Sequence, residues 1–130
     1  MFIRFVSQTN VQMMSFREGF FVPAYQMRED PDVDAFTKEQ LEEILAWFRE
    51  NLPIPDRFSR KQADLDEDDT YGLSWFKDTA KEHLARSYEL ISLMEIYGHT
   101  IETIRTDRVG FVVYEDDFQI VAEPFRDTPR

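Results

Sequence analysis

The chain contains no cysteine, which removes disulfides, thiolate metal sites, iron–sulfur clusters and cysteine nucleophiles together. Only 4 of its 130 residues are glycine, and neither a G-x-G-x-x-G nor a Walker A spacing occurs. The commoner phosphate-cradling loops are therefore excluded. No apolar run approaches the roughly 18 residues that a bilayer-spanning helix needs, and the opening MFIRFVSQTN turns polar too soon for a signal peptide. Positive charge is also scarce: 15 Lys and Arg against 26 Asp and Glu leave a formal net charge of −11. That average field repels a phosphate backbone, whose neutralisation supplies most nucleic-acid affinity. Neither direct nucleic-acid binding nor membrane association is expected, and a cytoplasmic setting is.

What remains is an ordinary globular composition, 42% hydrophobic and 32% charged, long enough for one domain with a real core. Phe2, Ile3, Phe5 and Val6 are apolar on both parities, as in a strand covered on both faces. Residues 13–16 and 20–25 flank Arg17-Glu18-Gly19 and read as a hairpin in which Gly19 takes a positive φ. Leu41, Ile44, Leu45, Phe48 and Leu52 recur at helical intervals, which predicts a helix over about 38–51 ended by Pro53 and Pro55. Thr37 with Gln40 has capping-box spacing, and Phe36 with Leu41 that of a hydrophobic staple.

Residues 53–70 form an irregular charged connection. A second helix follows from Asp78 or Thr79 to Tyr97, with Thr79 and Glu82 as a further capping box and Gly98 as the left-handed residue after its last turn. Its polar stripe of Glu82, Arg86 and Glu89 runs on into Leu93 and Ile96, so this half of the helix must find cover in the fold or on another chain. Residues 100–106, 110–115 and 118–123 predict a three-strand C-terminal meander, and 125–130 a loose tail. The whole is an α+β domain: two helices packed on one face of a mainly antiparallel sheet.

Candidate chemistry is sparse. The run Asp64–Asp69 begins like a calcium loop, but Asp69 stands where glycine is required and Trp75 where the bidentate Glu should be. It reads as a solvated charged loop. Gly72-Leu73-Ser74-Trp75-Phe76 has the first Gly and the Ser of a nucleophile elbow, but Phe76 replaces the second Gly. His83 and His99 have no H-E-x-x-H or H-x-H spacing, so no metal and no cofactor is expected. Glu115-Asp116-Asp117 is a crowded acidic corner, with Glu115 the member that continues a strand.

Arg4 and Arg105 stand in apolar strands, where a guanidinium is costly to bury unpaired, and Arg108 lies in the turn after Arg105. Trp47 flanks the stripe of the first helix, where its ring is placed to serve an interface. Two functions follow. The first is a non-enzymatic interaction module, a regulator, adaptor or inhibitor, binding a basic protein partner or a second copy of itself through Trp47, Leu93 and Ile96 and the Arg4, Arg105 and Arg108 set. The alternative is a small hydrolase or transferase for an anionic or nucleotide-like substrate, held by Arg4 and Arg105 with Glu115 as acid or base.

Overall fold

In a computed structural model that describes residues 1–10, 16–60 and 72–130, strand β1 (Phe2–Asn10) organises the sheet. One of its edges carries β4 (Ile101–Thr106), antiparallel from Phe2–Thr106 to Ser7–Ile101. The other edge is shared. β3 (Leu73–Lys77) takes its start through Phe2–Lys77 and Ile3–Phe76, while the short β2 (Arg17–Gly19) takes its far half at Val6–Gly19 and Asn10–Arg17. β6 (Gln119–Glu123) pairs with β3, and β5 (Phe111–Glu115) pairs with β6. Among the described residues the sheet has six strands, every pair antiparallel. The last three strands succeed one another as the predicted meander, with β4 hydrogen-bonded to β1.

This order forces the sheet to curl. Laid flat, β4 and β5 would stand four strand spacings apart, about 19 Å. The registers also place Thr106 level with Lys77, and Phe111 level with Gly72 and Glu123, a further offset of about 17 Å along the strands. The link from Thr106 to Phe111 reaches only about 18 Å when fully stretched. The sheet therefore bends until its edges approach. Its concave face encloses Val6, Leu73, Trp75, Ile104, Val109, Ile120 and Ala122, with Trp75 only 1% exposed.

The opposite face, carrying Ile3, Phe5 and Phe76, is covered by helices. α2 (Ala35–Asn51) and α3 (Lys81–Ile96) occupy the two predicted positions. A third, α1 (Phe21–Glu29), replaces the second arm of the expected hairpin. Pro23 falls in its first turn, where the missing N–H has no helical acceptor to lose, and Ala24 and Met27 bury together at helical spacing. Gly19 has no positive φ; among the described residues Gly98 (φ 86°) and Gly110 (φ 118°) do. The other expected arm, residues 13–16, lies mostly outside the described residues.

Both helix starts differ from expectation. α2 is capped by Asp34, which accepts from the Thr37 amide and hydroxyl at 2.8 Å each. Thr37 is thus a capped residue inside the helix, and Phe36 is exposed instead of stapled. α3 starts after Ala80 with no side-chain cap. Burial of Ala80 against the core fixes the entry there, and Thr79 stays exposed. The 125–130 segment is tied down, contrary to the expected loose tail: Thr128 is buried, its hydroxyl donates to the Arg108 carbonyl at 2.8 Å, and Phe125 packs edge-on to Phe111.

Candidate functional site

Strand alternation assigns Arg4 and Arg105 to opposite faces of the sheet. Arg4 lies with Phe2 and Val6 on the concave face, opposite Ile104. Arg105, level with Ile3, lies on the helix side of the edge strand β4 and is exposed. Glu115 pairs with Ile120 at the end of β5 and forms an ion pair with Lys77, Nζ to Oε2 2.6 Å. The three residues of the hydrolase reading do not converge. Arg108 joins the C-terminal segment, Nε to Asp127 Oδ2 3.2 Å, with its guanidinium over the Phe125 ring.

The acidic corner has a structural task. Asp116 Oδ1 accepts from the Phe118 and Gln119 amides, and Oδ2 from the Gln119 side chain and the Tyr114 hydroxyl. Burial pushes the Asp116 pKa up, but these donors outweigh it and hold the carboxyl below its ordinary value. They also close a corner that Asp-Asp alone would turn poorly. No group of three or more His, Asp or Glu side chains suited to a metal gathers among the described residues. The Asp64–Asp69 run lies outside them. His83 is buried: its Nε2–H donates to the Asn51 carbonyl at 2.8 Å and its ring stacks on Phe118. Ser74 is exposed on β3. Gly72 is there for close approach: a Cβ would meet the Phe58 carbonyl oxygen at 2.3 Å.

Two concavities gather predicted site residues. One is a groove of about 600 Å³ between α2 and α3, and it gathers Trp47, Leu93 and Ile96, the three apolar residues singled out in the sequence. The fold buries Leu90, Ile91 and Met94 of α3, leaves Leu93 half-buried, and leaves Ile96 73% exposed. Glu43 and Glu89 stand on the groove walls, and the Arg86 guanidinium covers the Trp47 ring at 5.3 Å.

The other concavity is a cleft of about 330 Å³ where β1 and β3 part after the Ile3–Phe76 pair. Its walls include Phe5, Phe16, Phe20, Phe58, Leu73 and Phe76, with Arg4 and Trp75 among them. Arg4 is 6% exposed. Its Nη2 donates to the Arg17 carbonyl, and among the described residues no acceptor meets its Nη1. Burial, with the Arg17 charge adding to it, brings its pKa down to about 10. Arg17 has its own carboxylate, Glu102; among the described residues Arg4 has none. Trp75 Nε1 likewise has no acceptor among the described residues. The apolar strand around Arg4 announces a buried guanidinium; the orphan indole is legible only as the Leu73/Trp75 alternation that turns both inward.

Comparison with known proteins finds no matching family model, no similar curated protein and no similar solved structure. No helix among the described residues is long and apolar enough to cross a membrane.

Proposed function

We propose that this protein is an acidic, non-enzymatic interaction module that takes a basic amphipathic segment of a protein partner into the α2/α3 groove. The observation that carries this reading is the exposed Ile96 beside Leu93 and the Trp47 ring, with Glu43 and the Arg86–Glu89 ion pair on the walls and so one negative charge in surplus. An apolar floor whose walls carry a net negative charge matches a helix that has apolar residues on one side and Lys or Arg flanking them. Trp is a frequent anchor of such contacts. The net charge of −11 speeds encounter with a basic partner and opposes a second copy carrying the same charge.

The test is calorimetric titration of the whole protein with a helical Leu–Lys peptide whose leucines recur at i, i+3, i+4 and i+7. Saturable one-to-one binding is expected, weaker in about 0.5 M salt and about tenfold weaker for Ile96→Ser combined with Glu89→Lys. Equal binding by that variant, or no binding by the native protein at low salt, overturns the reading. Concentration-dependent dimerisation in sedimentation equilibrium, lost in the same variant, replaces the basic partner by a second copy.

A further inference from the structure

The cleft between β1 and β3 is separate from the groove and has a different chemistry. Its walls are mostly aromatic and aliphatic, yet two residues that line it, Arg4 and Trp75, carry buried N–H donors, Nη1 and Nε1, that have no acceptor among the described residues. Both stand where the two strands stop pairing, Arg4 just after Ile3 on β1 and Trp75 just before Phe76 on β3, and both belong to the concave face. Buried donors in folded proteins are nearly always satisfied, and a buried guanidinium with no counter-charge is the costliest kind to leave open. The cleft's volume is at the small end of the roughly 300–1,000 Å³ typical of ligand sites.

The ligand that balances this site is narrowly defined. It must bring one negative charge for one guanidinium and oxygen lone pairs for two donors. A neutral carbonyl would serve the indole but leave Arg4 without a counter-ion. A phosphate dianion would bring a surplus charge into walls that cannot solvate it. A carboxylate meets both requirements, and Arg binds it with well-matched geometry. The rest of the ligand must be apolar to replace water against Phe5, Phe20, Phe58 and Phe76.

We infer that the β1/β3 cleft binds a small amphiphilic carboxylate, an aromatic or medium-chain carboxylic acid, with its head on Arg4 and Trp75 and its body among the phenylalanines. Two-dimensional NMR of the indole N–H resonances tests this directly, because the chain has two tryptophans and Trp47 lies outside the cleft. Trp47→Phe assigns the signals. Octanoate and 3-phenylpropionate are expected to shift the Trp75 resonance saturably and leave Trp47 unmoved, whereas octanol and inorganic phosphate bind at least about tenfold more weakly. Arg4→Gln should weaken octanoate by a similar factor without changing octanol, and Arg4→Lys should recover part of the loss. Equal responses to octanoate and octanol, saturation by phosphate alone, or a Trp75 signal indifferent to every carboxylate overturns the inference. Should Arg4→Gln not fold, the comparison of octanoate with octanol on the native protein decides the matter alone.

Discussion

Gly110 turns the chain from β4 toward β5 with φ at 118°, and a Cβ there would lie 1.9 Å from the Glu123 carbonyl oxygen. Gly98 also has a positive φ, 86°, but nothing stands within 4 Å of its missing Cβ. The two sites separate backbone strain from steric overlap. Gly98→Ala incurs the strain alone, about 1 kcal/mol. Gly110→Ala adds displacement of the β6 backbone and should cost about 3 kcal/mol or more. With a urea slope of about 2 kcal/mol/M, the unfolding midpoints should fall by about 0.5 M and 1.5 M respectively. Equal losses would show that the contact with Glu123 is not what holds Gly110 in place. Glu123 is itself a buried acid with structural duties. Its Oε1 accepts from the Ser59 hydroxyl at 3.0 Å and the Arg60 amide at 3.1 Å, and its Oε2 from the Arg60 guanidinium. Burial would raise its pKa, but these donors outweigh burial and keep it ionised below the ordinary range.

Among the helices, α2 depends on one carboxylate. Asp34 accepts from the Tyr97 hydroxyl, the Thr37 amide and the Thr37 hydroxyl, and those donors bring its pKa from 3.8 down to about 2. A carboxyl depressed in the folded state stabilises fully above its unfolded pKa and loses that contribution as pH falls through the folded value. The Asp34 contribution is therefore complete above pH 3.8 and disappears toward pH 2. Asp34→Asn keeps a good capping group but has nothing to titrate. Thermal melts at pH 5, 3 and 2 should show a shallower acid loss for the variant, and parallel losses would assign the acid sensitivity elsewhere.

The same cap marks the limit of what local pattern encodes. The Leu41, Ile44, Leu45 and Phe48 stripe is visible because burial on a helix repeats locally, and all four are buried. The start of that helix is a competition between Asp34 and Thr37, decided by geometry that pattern does not contain. α1 is hidden in the sequence because Phe20, Phe21 and Val22 suit a strand by propensity. Only the docking of Phe20 on Phe5 and of Phe21 on Phe48, centroids 5.2 and 5.0 Å apart, makes the helix the better-packed choice. At the candidate sites, Trp47, Leu93 and Ile96 could be singled out from helical periodicity, and Arg4 from its apolar neighbours. The cleft could not, because it exists where two strands distant in sequence stop pairing.

Across the whole molecule, charge is the dominant variable. Eleven surplus negative charges repel one another in the compact state more than in the expanded one. The surface ion pairs that oppose this, such as Arg28–Glu42 and Arg108–Asp127, are individually weak. Raising ionic strength from about 0.01 to 0.15 M shortens the screening length from about 30 to 8 Å. The melting temperature should therefore rise over that interval, and a fall would mean that the ion pairs outweigh the repulsion.

β1 sets the order in which this molecule can be made. Its longest ladder is with β4, whose residues lie some hundred positions further along the chain. During synthesis β1 is made well before β4, and the edge that β4 covers stays open until Ile101–Thr106 has left the ribosome. Distant pairing of this kind slows folding and leaves a bare strand edge exposed meanwhile. A nascent chain halted before Ile101 would be a ready substrate for chaperones and proteases.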